Sequence, residues 1–368
     1  MTRSSLADRL PDVPWDRLAP YRAVAEQHPD GIVDLSIGTP VDPVPQIVQN
    51  ALAGASDTPG YPLTAGTAAL RQAASDWASR TLRASVDPES ILPTVGSKEL
   101  VALLPFLLGL GPGDTVVIPE LAYPTYDVGA RAAGCEVVVS DSTHALGPQR
   151  VSLVWVNSPS NPTGRVLPVE HLAKVVAWAR ERDAIVVSDE CYLELAWDAS
   201  PVSILDERVS GGSHANLLAV HSLSKRSNLA GYRAGLVLGD GEIVRSLLEA
   251  RKNLGLMVPQ PVQVAATAAL GDDMHVAKQR HRYARRRDHL LSALLDAGFS
   301  IDHSEAGLYL WASRGDSCWD TVGWLAEHGI LVAPGDFYGA AGGQHVRVAL
   351  TATDERIATA VRRLARVA

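Results

Sequence analysis

His221-Ser-Leu-Ser-Lys225-Arg-Ser-Asn-Leu-Ala-Gly231-Tyr-Arg233-Ala-Gly235 is the stretch from which the rest of this chain can be read. An apolar run at 217–220 precedes it and another at 236–238 follows, so Lys225 is expected where one strand ends and a second is about to begin. A lysine crowded by small and hydroxyl residues loses its proton more readily than an exposed one, and a neutral amine condenses with an aldehyde to a Schiff base. The hydroxyls of Ser222 and Ser224, the backbone access at Gly231 and the planar donor fork of Arg233 suit a phosphate.

An aldehyde that also carries a phosphate suggests pyridoxal 5'-phosphate. Ser-x-x-Lys by itself reads as a solvated loop with a chance basic pair. Ser-x-Ser-Lys followed by Gly-x-Arg is more specific, and it resembles the lysine signature of the fold-type I pyridoxal-phosphate aminotransferases of class I/II.

The composition sets bounds on that resemblance. The chain has 368 residues, 46% apolar and 20% charged, which are globular values and enough for a large domain with a smaller one. A net charge of −8 argues against nucleic acid or an anionic membrane surface as the main partner. The one dense basic run, Arg285 to Arg287, falls in a helical pattern and is expected on a solvated face. No signal-peptide core and no apolar run of membrane-spanning length is present, so a cytoplasmic protein is expected. Cys135, Cys191 and Cys318 lack metal-ligand spacing and read as small buried apolar residues, with no metal site expected.

Taken in order, residues 1–30 read as an arm with one short helix, broken by Pro11, Pro14 and Pro20. A strand-like run at 32–37 ends at Gly38-Thr39-Pro40, by itself an ordinary turn. The 67–83 segment is patterned as an amphipathic helix, and 91–95 leads through Gly96-Ser97-Lys98 into a helix to residue 108. A strand, a small-residue turn and a helix offer free N–H groups and a helix dipole to an anion. From residue 113 onward, short apolar runs at 115–119, 135–140, 151–156, 185–188 and 217–220 alternate with helical patterns at 123–133 and 168–182. That alternation implies an α/β fold, a mainly parallel sheet covered by helices on both faces, with ligands at the carboxyl ends of its strands. After residue 239, helical patterns at 242–254, 259–270 and 273–297 lead into strand-like runs at 299–302, 307–312, 330–333 and 346–350. Helices are expected at about 320–328 and 354–367, which makes the tail a smaller α+β domain.

Several side chains at strand ends carry the chemistry. Asp189, closing Ala-Ile-Val-Val-Ser, is costly to bury without a partner, and a protonated pyridine nitrogen is a suitable one. Ser158-Pro-Ser-Asn161-Pro-Thr-Gly164 defines a rigid turn with room for a cis peptide before proline, and such a turn aims the Asn161 amide accurately. Tyr123 can stack on a planar ring. Glu190 is expected to be structural. Arg347 lies on an alternating strand, where an arginine is usually a surface residue.

The resemblance covers nearly the whole chain and implies more than these patterns show. It implies an aspartate aminotransferase-like fold, with residues 1–44 as an arm joined to the small domain, 45–272 as the large cofactor domain and 273–368 as the small domain. It implies Lys225 as the Schiff-base residue and proton carrier, Asp189 and Tyr192 as further catalytic residues, and Gly96, Ser97, Lys98, Tyr123, Asn161, Ser222, Ser224 and Arg233 about the cofactor. It implies a substrate α-carboxylate held by Arg347, with Gly38 and Asn161 beside it. In Tyr61-Pro-x-x-x-Gly66-x-x-x-Leu70-Arg71 it implies a tyrosine reaching the phosphate of a second subunit, hence a homodimer with shared sites. The runs 306–311 (Ala-Gly-Leu-Tyr-Leu-Trp) and 329–339 (Gly-Ile-Leu-Val-Ala-Pro-Gly-Asp-Phe-Tyr-Gly) resemble the actinobacterial succinyldiaminopimelate aminotransferases of lysine and cell-wall biosynthesis. That likeness implies glutamate as donor. An aminotransferase of another amino acid, or a carbon–sulfur lyase, would share the general motifs. A ligand-sensing regulator on this fold would need a DNA-binding module, for which the proline-broken start leaves no room. A cofactor-free α/β protein is the remaining alternative.

Overall fold

Alternate residues of the central strands feed two different cores, and this sets the architecture. The computed structural model describes residues 5–11, 14–147 and 150–366. The start of the expected arm and the end of the expected last helix, Val367 included, lie outside the described residues.

The strands are, in chain order, β1 (Val33–Asp34), β2 (Ile91–Val95), β3 (Thr115–Ile118), β4 (Glu136–Val139), β5 (Leu153–Asn157), β6 (Ile185–Asp189), β7 (Leu217–Ser222), β8 (Ala234–Gly239), β9 (Ser300–Asp302), β10 (Tyr309–Ser313), β11 (Ile330–Leu331), β12 (Ala333–Pro334) and β13 (Val346–Ala349). Seven of them form one sheet in the order β2-β8-β7-β6-β5-β3-β4. All its neighbours run parallel except at β8, which is antiparallel to both β2 and β7. Val154, Val156, Leu217 and Ala219 enter a core roofed by the helices Ala68–Trp77, Val169–Arg180 and Gln260–Leu270. Their neighbours Leu153, Trp155, Leu218 and Val220 enter a second core under Gly96–Leu107, Thr125–Ala133 and Gly241–Leu254. A period of two on strands buried on both faces therefore produces helices on both faces.

A third core belongs to the antiparallel sheet β12-β13-β10-β9 and the helices Asp273–Asp296, Cys318–Glu327 and Asp354–Leu364. β1 pairs in parallel with β11, so the segment before residue 45 is tied to the C-terminal layer. Among the described residues no helix is long and apolar enough to cross a membrane.

One local expectation is refined and three change. Lys225, expected between the end of one strand and the start of the next, lies there in a one-turn helix, Leu223–Arg226, begun by Ser222 Oγ accepting from the Ser224 N–H. The 32–37 run keeps only two residues of strand, because β11 is equally short. A helix not anticipated, Gln46–Gly54, follows the Pro43-Val-Pro45 turn. The basic triplet is not a solvated face: Arg286 is 3% exposed and bonds Asp42 and Asp354, and Arg287 bonds Asp198 and the Ser304 carbonyl. Helical spacing turns those two arginines inward, where acidic partners from distant segments meet them.

Candidate active site

Strand register brings the site together. Asn157 at the end of β5 pairs with Asp189 at the end of β6, and Ser222 at the end of β7 pairs with Gly235 on β8. Since β8 runs backwards, its first residues face the last residues of β2, where Val95 pairs with Ala234. Five strand ends thus border one cleft of about 410 Å³, within the roughly 300–1,000 Å³ of small-ligand sites. It is lined by Gly38, Ser97, Lys98, Tyr123, Asn161, Asp189, Tyr192, Ser222, Ser224, Lys225, Arg233 and Arg347 among others. Gly96 lies against the Arg233 side chain at its rim. Tyr61, by contrast, is 97% exposed and does not line this cleft.

Lys225 donates from Nζ to the Gly38 carbonyl. Burial lowers its pKa, with Arg347 and Arg233 adding to the effect against Tyr309 and Cys191. A lysine easily made neutral is suited to attack a carbonyl carbon or to remove a proton.

Asp189 is buried, and burial raises its pKa against opposing hydrogen bonds. Tyr126 Oη donates to its Oδ2 at 2.8 Å, and the Cys191 N–H donates to Oδ1 at 3.2 Å. Both donors are neutral, so a cation placed before this carboxylate gains a strong partner. No motif pointed to Tyr126, which is stacked on Trp155 with ring centroids 4.7 Å apart. Cys191 is half-buried and lines the cleft, against the expectation of a buried packing residue. Its position beside Asp189 was visible in the sequence; its access to the cleft was not. Glu190 has the structural part expected: fully inside, it accepts from the Ile204 N–H at 2.7 Å.

Asn161 sits in a turn with cis peptides at Ser158-Pro159 and Asn161-Pro162. Asn157 holds that turn, accepting from the Asn161 N–H at 2.8 Å and donating to the Asp189 carbonyl at 2.9 Å. Asn161 Oδ1 accepts from Arg347 at 2.8 Å, which leaves its amide donors for the cleft. Arg347 is buried, bonds the Ser36 carbonyl at 2.7 Å, and keeps Nε inside without a hydrogen-bond partner among the described residues. Its Cζ lies 4.0 Å from the Tyr309 ring centroid and 4.8 Å from that of Tyr338. Tyr192 shares a hydrogen bond with Tyr309, oxygen to oxygen 3.1 Å.

Gly96 (φ +72°) and Gly235 leave a cradle at the helix start. A Cβ on Gly96 would lie 2.7 Å from Arg233 Cζ, and one on Gly235 would lie 2.9 Å from the Ser97 nitrogen. Backbone N–H groups, a guanidinium and the N-terminus of a 12-residue helix meet there, which fits a phosphate. The buried Asp189, the easily neutralised Lys225 and this cradle together fit a phosphorylated pyridine aldehyde. Among the described residues no group of acidic, His and Cys side chains is arranged to hold a metal ion.

Residues 30–364 match the family model of aminotransferases of class I and II. The chain is 62% identical to the probable aminotransferase Rv1178 of Mycobacterium tuberculosis, over 98% of this chain and 87% of that protein. It is 59% identical to OxyQ of Streptomyces rimosus, a 4-dedimethylamino-4-oxo-anhydrotetracycline transaminase, over 96% of this chain and 99% of that one. A mutant of Thermus thermophilus aspartate aminotransferase superposes with a TM-score of 0.87 at 28% identity, all of both chains covered.

Proposed function

The chain belongs to the class I and II aminotransferases, pyridoxal-phosphate enzymes of the aspartate aminotransferase fold acting on amino acids and 2-oxo acids, and on that premise we propose its substrates. It moves the amino group between glutamate/2-oxoglutarate and N-succinyl-diaminopimelate with its 2-oxo form, in lysine and cell-wall precursor biosynthesis. One observation carries this reading: the two runs that resemble succinyldiaminopimelate aminotransferases converge on one arginine. Tyr309 comes from the first run and Tyr338 from the second, and both rings lie over Arg347.

In this reading Arg347 receives the α-carboxylate common to both substrates, replacing its bond to Asn161 or Ser36 by a bidentate pair. Asp189 keeps a proton on the ring nitrogen, and Asn161 and Tyr192 donate to the ring oxygen. Tyr123 covers a ring face. Ser97, Lys98, Ser222, Ser224 and Arg233 hold the phosphate, with Gly96 giving close approach. Pyridoxal phosphate held by these residues would supply the electron sink for the pair left at Cα when the proton departs. Lys225 removes that proton and returns it one carbon away, within the reach of a single amine. Residues 45–272 form the cofactor domain, and 273–368 with 1–44 the smaller one. The working unit is a cytoplasmic homodimer in which the exposed Tyr61 reaches its partner's phosphate site.

A second reading is favoured by the 59% identity to OxyQ: a polycyclic ketone without an α-carboxylate as amino acceptor. A screen of amine and oxo-acid pairs, succinylated diaminopimelate and an anhydrotetracycline ketone among them, separates the two. Turnover of succinylated diaminopimelate with 2-oxoglutarate at a kcat/KM well above other pairs supports the first; a preference for the ketone replaces it.

A further inference from the structure

Tyr309 has no part in the assignments above beyond its contact with Arg347, yet it stands between three of the groups they use. Tyr309 on β10 pairs with Ala349 on β13, which makes Arg347 its diagonal neighbour on the same sheet. Its ring lies over that guanidinium, and its hydroxyl meets that of Tyr192. The same hydroxyl lies against Gly38, whose carbonyl receives Lys225.

A phenol has one proton to donate. If Tyr192 directs its proton to the ring oxygen, it can only accept from Tyr309, so the donor in the tyrosine pair is decided. The two neighbouring cations agree. Burial would raise the Tyr309 pKa, but Arg347 and Lys225 outweigh it, together with a bond from Tyr192 that reverses once Tyr192 turns its proton to the ring oxygen; the phenol lies below its ordinary value, Cys191 opposing. Burial leaves Tyr192 well above its own. The more acidic phenol is the better donor, and a chain of such bonds strengthens each member.

We propose that Tyr309 is a positioning residue for transamination: its hydroxyl donates to Tyr192 and turns the Tyr192 proton into the cleft, while its ring fixes the arginine that receives the substrate carboxylate. This rests on the placement of Tyr192 and Arg347 in the reading above. Tyr309→Phe removes the first function and keeps the second; Tyr309→Leu removes both.

The test is the pH titration of the visible absorbance of the cofactor-loaded enzyme, read beside kinetics. A donor to the ring oxygen stabilises its negative charge and lowers the midpoint. Tyr309→Phe should raise it by roughly half to one pH unit, Tyr192→Phe should raise it further, and the double variant should match Tyr192→Phe alone. With Phe at 309, kcat should fall with little change in KM for either carboxylate substrate; Leu should raise both KM values. A midpoint unmoved by Tyr309→Phe while Tyr192→Phe moves it, or additive shifts in the double variant, overturns the proposal. If Tyr192→Phe also leaves the midpoint in place, the Tyr192 assignment falls and takes this inference with it. Should the Phe variant fail to fold, 3-fluorotyrosine at position 309 keeps ring and hydroxyl. Its more acidic phenol should lower the midpoint, and a rise or no change overturns the proposal equally.

Discussion

The Tyr126 hydroxyl donates to Asp189 Oδ2 across 2.8 Å, between a helix on one face of the sheet and the end of its central strand. The bond keeps a buried carboxylate solvated by one neutral donor and aimed along one direction. Burial still raises the Asp189 pKa, so its ionised form weighs against folding until a cation arrives. For a carboxyl raised in the folded state, the favourable contribution is present at pH below the ordinary aspartate value of about 3.9. It is lost as pH rises through the folded value.

Asp189→Asn should therefore make the cofactor-free protein more stable at neutral pH, while its single-turnover rate collapses. Thermal unfolding with and without pyridoxal phosphate measures both sides: the ligand-induced rise in Tm should shrink in the variant. An unchanged single-turnover rate would remove Asp189 from the proposed mechanism.

Arg347→Ala should impair both half-reactions by about 2–5 kcal/mol in kcat/KM, the cost of leaving a desolvated charge pair with one member. Stopped-flow measurement of each half-reaction separates this from a side-chain specificity role. An effect confined to one substrate would favour the acceptor without a carboxylate.

Arg286 binds Asp42 through two nitrogens, at 2.7 and 2.8 Å. Arg286→Met should destabilise the fold by about 1.5–3 kcal/mol, because Asp42 would lose two charged hydrogen bonds and keep only Gln279 at 2.7 Å and Arg282 at 3.3 Å. Burial alone would raise the Asp42 pKa, but bonds from Arg286 and Gln279 outweigh it and hold it low. The pair's contribution is then complete above about pH 4 and lost as pH falls through the folded value. Urea denaturation across that range should be flatter in the variant than in the parent.

Gly38→Ala would bring a Cβ to 2.7 Å from Tyr309 Cζ and 2.8 Å from Cε1. An overpacking cost of about 1–3 kcal/mol follows, visible in chemical denaturation. Combining Gly38→Ala with Tyr309→Leu should recover most of it relative to Tyr309→Leu alone. Additive losses would mean that the strain lies in the backbone at residue 38.

Lys225→Ala and Tyr61→Ala, each inactive or impaired alone, should regain activity when refolded together. A mixed dimer with shared sites has one site carrying both lesions and one carrying neither. Absence of rescue, with mixed dimers verified by differential tags, would place Tyr61's action within its own chain.

Local chemistry carried much of this protein. Apolar runs such as 151–156 and 217–220 alternating with helical patterns made the two-sided sheet legible, and the structure sends successive residues of those runs into opposite cores because side chains leave a strand with a period of two. The motifs around Asn161, Asp189 and Lys225 named residues that the fold gathers in one cleft, because strand ends in a parallel sheet lie side by side. The helix Gln46–Gly54 was masked by prolines that read as a turn and turned out to precede it. What the chain's local order could not carry was contact across long separations. Tyr126 and Asp189 stand 63 positions apart, Tyr192 and Tyr309 117, and Arg286 and Asp42 244. Such pairs leave no period or spacing in the sequence; they exist only once register and layer packing have closed the loops between them, and those at Asp189 and Tyr192 set the polarity of the cleft.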